Sequence, residues 1–142
     1  NLIHKQRGFV TTEQRKIIST DQAPAAIGTY SQAVQVTNAT LTFISGQIPL
    51  DSTSGELVSA DFADQTHQVF KNLQAVATAS GASLADAVKL TVYLTDLANF
   101  ATVNEIMARY IEVPYPARAA IQVSALPKGA QVEIDAILAS ND

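Results

Sequence analysis

The chain has no cysteine and no tryptophan, one methionine and only two histidines, His4 and His67, in 142 residues. Without cysteine there is no disulfide framework, no thiolate nucleophile, no iron–sulfur centre and no cysteine-ligated zinc. Two histidines, one of them four residues from the start, make a histidine metal site or a Ser–His–Asp triad a poor expectation. Charged residues are sparse as well, at 15%. No apolar run approaches the roughly 20 residues of a membrane-spanning helix. What is present is 47% hydrophobic residues, enough for one ordinary domain that buries its own core without a staple.

The net charge of −4 is unevenly spread. Lys5, Arg7, Arg15 and Lys16 stand against Glu13 near the start, so the chain from residue 17 onward carries −7. A compact acidic body neutralises phosphates poorly, which disfavours nucleic acid and an anionic membrane surface as partners.

Residues 1–15 show neither alternation nor a long helical stripe, and hold no apolar stretch of signal-peptide length. They read as a poorly ordered extension, a cloning scar or translated upstream sequence, and residues 16–142 as a single domain. Within it, residues 16–19, 30–36 and 40–45 read as strands, the last two joined by a short hairpin at 37–39 in which Asn38 tolerates a positive φ. Over residues 60–80 the period changes: Phe62, Val69, Phe70, Leu73, Val76 and Ala77 share one helical face. Ser59 or Asp61 caps its start and Gly81 follows its end. Residues 88–95 alternate as a strand, with Val88, Leu90, Val92 and Leu94 on one face. Phe100, Val103, Met107, Tyr110 and Ile111 mark a second helix, stopped by Pro114 and Pro116. Residues 117–124 and 131–139 are the last strands.

The order β-β-β-α-β-α-β-β gives an α+β fold, one mixed sheet of about six strands with two helices on one face. The other face, expected to carry Thr91, Tyr93, Thr95, Gln122 and Glu133, is too mixed for a core and too large to leave bare, so an oligomer is predicted.

Chemistry has few places to reside. Beyond the extension the only arginines are Arg109 and Arg118. Arg109 follows Glu105 by four residues and reads as a solvated helix pair. Arg118 lies among Ala117, Ala119 and Ala120 on a strand, and is either an interface ion pair or an anchor for a ligand carboxylate. Glu133 and Asp135 share one face of the final strand; such a carboxylate is usually a sheet-surface residue and becomes a candidate acid or base only near Arg118. Tyr30 packs as half-buried core or offers its hydroxyl to a ligand. Ser45–Gly46 either ends a strand or lets backbone N–H groups approach an anion. Asn104 and His67 read most simply as exposed helix residues.

The segments Ala23-Pro-Ala-Ala-Ile-Gly-Thr-Tyr30-Ser-Gln-Ala33, Ser45-Gly-Gln-Ile-Pro49, Phe100-Ala-Thr-Val-Asn104, Pro116-Ala-Arg118 and Val132-Glu133-Ile-Asp-Ala136 resemble, in order and spacing, the RidA (YjgF) family of reactive-intermediate deaminases. The resemblance runs from about Ile17 to Ile137. It implies a chorismate-mutase-like fold, a cytoplasmic homotrimer with ligand clefts between subunits, and hydrolysis of 2-imino acids to 2-keto acids and ammonia without metal or cofactor. Carried over by motif, Arg118 grips the substrate carboxylate, Glu133 activates water, and Tyr30, Ser45, Gly46, Asn104 and Ala120 line the cleft. Many active members carry cysteine where this chain has Ala120, so thiol-dependent regulation is not expected. The competing readings are a non-catalytic or chaperone-like binder of keto and imino acids, an RNA-cleaving translation inhibitor, and a chorismate mutase. The acidic body and the missing His pair speak against RNA cleavage, and a lone interior arginine against a dicarboxylate substrate.

Overall fold

A computed structural model describes residues 14–141; the expectations for residues 1–13 lie outside that range. The elements are β1 (Arg15–Ile18), β2 (Ala33–Val36), β3 (Thr40–Gln47), α1 (Phe62–Ala79), β4 (Ala87–Leu94), α2 (Phe100–Met107), β5 (Ala117–Gln122) and β6 (Val132–Ser140). Their order is the predicted one. Gln14 and Arg15, counted with the extension in the sequence reading, are built into the fold: Arg15 donates to the carbonyls of Ala85, Ala87 and Pro114 at 2.7, 3.0 and 3.2 Å.

The six strands do not form one continuous sheet. Strands β3, β6, β4 and β5 lie side by side in that order, while β1 and β2 form an antiparallel pair of their own. The turn at 37–39 is therefore not a hairpin: β2 pairs with β1, and β3 pairs with β6. Asn38 does adopt φ 50°, but its left-handed bend swings the chain from one sheet to the other. The reason lies in β6, the longest strand, whose Ile134, Ala136 and Leu138 give β3 a deeper apolar partner than the four residues of β2. An isolated bridge between Ser31 and Ala117 ties the chain just before β2 to the edge strand β5.

Helix α1 begins at the Asp61 cap, whose carboxylate accepts from the Asp64 N–H at 3.0 Å. It ends before Gly81, at φ 81°, a conformation that costs glycine little. Its face buries Val69, Phe70, Leu73 and Ala77, and adds Gln65 and Thr66, which the hydrophobic pattern passed over. Gln65 is satisfied there: its side chain accepts from the Gln131 N–H and donates to the Ser59 carbonyl, both at 2.9 Å. Helix α2 stops at Met107, four residues earlier than its apolar spacing suggests; Tyr110 and Ile111 pack from the turn that follows. Both helices cover one face of the four-stranded sheet, on Leu90, Val92, Leu94, Val132, Ile134 and Leu138.

The opposite face is bare. It carries Lys89, Thr91 and Tyr93 of β4, Glu133, Asp135 and Ile137 of β6, and Phe43 of β3, which is 70% exposed. Gln122 does not belong to it. Register pairs Gln122 with the buried Leu94, so it points to the helix side, where its carbonyl oxygen accepts from the Leu97 N–H at 3.0 Å.

Candidate functional site

Strand β5 runs parallel to β4 across the α2 crossover, with Leu90 opposite Arg118 and Val92 opposite Ala120. Because in-register neighbours share a face, Arg118 and Ala120 point toward the helices. At this edge of the sheet the helix layer is thin, and the guanidinium reaches into a cavity of about 550 Å³ lined by Ile27, Tyr30, Leu97, Phe100, Arg118 and Ala120.

Loop 19–32 supplies one wall. Gln32 holds it by accepting from the Thr20 N–H at 2.6 Å and donating to the carbonyls of Thr20, Ala23 and Pro24. The Ser31 N–H then donates to the Pro116 carbonyl at 2.9 Å, which sets Tyr30 beside Arg118. Gly28, at φ 150°, makes the bend; a Cβ there would sit 3.7 Å from both the Tyr30 ring and Asn104 Oδ1.

The guanidinium carbon lies 5.1 Å from the Tyr30 ring centroid and 5.0 Å from that of Phe100, a distance at which the ring faces attract a cation. Its Nη1 donates to Thr29 Oγ1 at 2.7 Å and to Asn104 Oδ1 at 2.6 Å, with Met107 Sδ at 3.6 Å. Nη2 and Nε make no hydrogen bond among the described residues, and neither is sealed from solvent. No carboxylate pairs with Arg118 among the described residues, whereas the exposed Arg109 and Glu105 pair at 3.8 Å, as expected. Half-burial lowers the Arg118 pKa, opposed by Tyr30, yet a guanidinium stays protonated. The result is a fixed, half-desolvated cation in the wall of a mainly apolar hollow, its side-on Nη2/Nε edge without a partner among the described residues, an edge suited to two carboxylate oxygens.

Glu133 is elsewhere. It stands opposite Tyr93 on the bare face, on the far side of the sheet from Arg118 and with β4 between their strands. Its neighbours are Ser45 and Gly46, where the β3–β6 register shifts between Ile44 and Gln47. The Glu133 side chain lies so close over Gly46 that a Cβ there would sit 2.5 Å from Oε2 and 2.9 Å from Cδ. Beside it the Tyr93 hydroxyl donates to Asp135 Oδ2 at 3.0 Å. That bond first, then burial and the charges of Asp135 and Glu133, raises the Tyr93 pKa.

The predicted site residues thus fall into two groups. Arg118, Tyr30 and Ala120 line the cavity, and Asn104, expected there too, stands behind it as an acceptor for Arg118; Glu133, Ser45 and Gly46 gather on the other face. Asn104 is not a free surface residue, and neither is His67, whose Nδ1 lies 2.7 Å from the Tyr110 hydroxyl. Thr29, Ile27, Leu97 and Phe100 escaped the sequence reading. Phe100 carries the α2 stripe and read as core; Thr29 and Ile27 sit in a loop and Leu97 in a single 3-10 turn, with no period to mark them. A second hollow of about 410 Å³ lies between α1 and residues 46–55. Its carboxylate, Asp51, already accepts from the Ser54 and Thr53 N–H groups, which lower its pKa, so it offers less chemistry.

Fold and cavity define an α+β protein with a small-molecule-sized hollow that has a half-buried cation in its wall. The chain belongs to the family described as endoribonuclease L-PSP, which matches residues 20–140 and includes the RidA proteins. It is 51% identical to the mouse 2-iminobutanoate/2-iminopropanoate deaminase, over 87% of this chain and 90% of that one. The crystal structure of RidA from the Antarctic bacterium Psychrobacter sp. PAMC 21119 superposes with a TM-score of 0.68 at 52% identity, covering 87% of this chain and 98% of that one. The E. coli TdcF structure with bound serine gives 0.66 at 42% identity, over 87% and 98%. Among the described residues no helix is long and apolar enough to cross a membrane.

Proposed function

We propose that this protein hydrolyses 2-imino acids such as 2-iminobutanoate and 2-iminopropanoate to 2-keto acids and ammonia. The observation that carries the reading is that Arg118 lines a mainly apolar hollow with its Nη2/Nε edge unclaimed and no carboxylate partner among the described residues. The name of the mouse relative supplies the substrate class, and the serine bound by TdcF is, like the substrate, an α-carboxylate carrying nitrogen on the next carbon.

The chemistry needs little. Arg118 holds the carboxylate, and the adjacent C=NH2+ carbon is already electrophilic. Glu133 takes a proton from water as its oxygen bonds to that carbon, giving a carbinolamine. The same proton passes to the amine nitrogen, the C–N bond breaks to release ammonia, and the ammonia takes up the hydroxyl proton to leave as ammonium as the ketone forms. Since Arg118 and Glu133 of one chain lie on opposite faces, this mechanism requires two copies, with Glu133, Ser45 and Gly46 of one protomer closing the Arg118 cavity of the next. A homotrimer with its bare sheet faces turned inward supplies that arrangement. A cytoplasmic setting belongs to the same reading, because the imines arise from enamines released by pyridoxal-phosphate dehydratases.

The test is a threonine dehydratase reaction containing semicarbazide. Catalytic amounts of the protein lower formation of the semicarbazone by removing 2-iminobutanoate first; an unchanged rate overturns the reading. One observation favours the alternative of a binder without turnover: the arginine cavity is formed without Glu133. Binding of 2-ketobutyrate with no hydrolysis of any imine decides for that alternative.

A further inference from the structure

We infer that Thr29 is a positioning residue, whose hydroxyl sets the in-plane orientation of the Arg118 guanidinium and thereby the affinity of the site for a carboxylate. The inference rests on the proposed role of Arg118 as carboxylate anchor, but not on turnover.

Two rings and three polar atoms hold the guanidinium, and they do different things. Tyr30 and Phe100, at 5.1 and 5.0 Å, fix the position of the cation but give it no preferred direction within its own plane. With ring faces alone, the side-chain torsions can slide the planar group across the rings and change the line along which its Nη2/Nε edge points. Direction comes from Nη1, whose two hydrogens are taken by Thr29 Oγ1 and Asn104 Oδ1 at 2.7 and 2.6 Å. With that corner tied down, the Nη2/Nε edge faces outward.

Thr29 closes this triangle. Its hydroxyl accepts from Arg118, so its own proton must go elsewhere, and Asn104 Oδ1 stands 2.9 Å away. Asn104 Oδ1 then receives two donors, which fixes the amide with its oxygen toward the arginine. Thr29 is only 8% exposed, so water is poorly placed to replace the lost partner. The Thr29 contact also reaches from the loop to α2, since Oγ1 lies 3.4 Å from Met107 Sδ. Thr29 touches Arg118 through its hydroxyl and need not touch the substrate.

The experiment compares Thr29→Val, which keeps the shape and removes the hydroxyl, with Thr29→Ser, which keeps the hydroxyl and removes the methyl. In Thr29→Val the Kd for 2-ketobutyrate, measured by calorimetry, and the KM for 2-iminobutanoate each rise by about tenfold, on the scale of one charge-assisted hydrogen bond. Its kcat stays within about twofold, because an interaction shared by ground and transition states moves KM alone. Thr29→Ser returns both constants to within about threefold of the parent. Equal constants in parent and Thr29→Val overturn the inference, as does a Thr29→Ser as impaired as Thr29→Val, which makes the residue a packing element. Should Thr29→Val fail to fold, Thr29→Ala against Thr29→Ser makes the same comparison without added bulk near the hydroxyl. If the parent binds 2-ketobutyrate yet hydrolyses no imine, the proposed reaction fails while the Kd comparison still decides the role of Thr29.

Discussion

The two groups of site residues differ in how finished they are within one chain. Around Arg118 the protein has spent a loop, a helix and an edge strand: rings on either side, acceptors on one nitrogen, and a cavity before the free edge. Around Glu133 it has spent almost nothing, a glycine beneath the side chain and a tyrosine–aspartate pair alongside, on a sheet face with Phe43 exposed and Ile137 half-buried. The arginine half has the makings of a binding site alone. In the proposed mechanism the acidic half acquires its purpose when the Arg118 cavity of another protomer is laid against it. Desolvating an arginine demands a built pocket, whereas a carboxylate that handles water must stay reachable by it.

The sharpest way to break this contrast is to disable each half separately. Arg118→Ala lowers kcat/KM for 2-iminobutanoate by about 10³-fold or more, because both the charge and the bidentate grip are gone. Assembly, read by gel filtration, is unchanged, since the guanidinium faces a cavity. Glu133→Gln lowers kcat by about 10²-fold and leaves 2-ketobutyrate binding within about threefold of the parent. Arg118→Ala and Glu133→Ala subunits, refolded together in equal amounts, recover activity toward about one quarter of the parent's, because about one seam in four then joins an intact arginine to an intact glutamate. If the mixture stays inactive, the two residues do not act across a seam. Asn104→Asp comes next: a carboxylate placed 2.6 Å from Nη1 competes with the substrate for the cation, and KM rises by about tenfold while kcat changes little.

Gly46→Ala is smaller in effect. The new methyl overlaps the Glu133 carboxylate, the mobile end of a flexible side chain, so the acid moves rather than the backbone. Denaturation shows a loss within about 1 kcal/mol, while kcat falls by about threefold to tenfold as the acid leaves its place.

Much of this was legible in the sequence, and what was not has a common cause. Helix α1, strands β4 and β6 and the α+β order follow from period alone, since each buries one face along eight or more residues. Arg118 among alanines, and Glu133 on the polar side of β6, are visible in the same way. The division into two sheets is not, because β2 is only four residues long and nothing local says that its partner is β1 rather than β3. The opposition of Arg118 and Glu133 depends on Leu90 pairing with Arg118 and Tyr93 with Glu133. A one-residue slip reverses a strand's faces, and no single strand's sequence fixes the register of its neighbour. Gln122 was misplaced for that reason. Thr29 went unseen because its role is set by a contact 75 positions away.

The smallest expected effect concerns Tyr93 and separates bystanders from participants on the acidic face. Its hydroxyl donates to Asp135, not to Glu133, and the raised pKa keeps that proton in place through neutral pH. The bond therefore contributes fully below the ordinary tyrosine pKa near 10, and the contribution is lost only as pH rises through the higher folded value. Tyr93→Phe removes a single part-buried hydrogen bond, and stability falls by about 1 kcal/mol or less. In the assembled protein kcat for the imine stays within about twofold of the parent, and the ratio of the two rates is flat from pH 6 to about pH 9. A variant whose rate falls tenfold, or whose ratio bends near neutrality, makes Tyr93 and Asp135 part of the proton route and joins them functionally to Glu133.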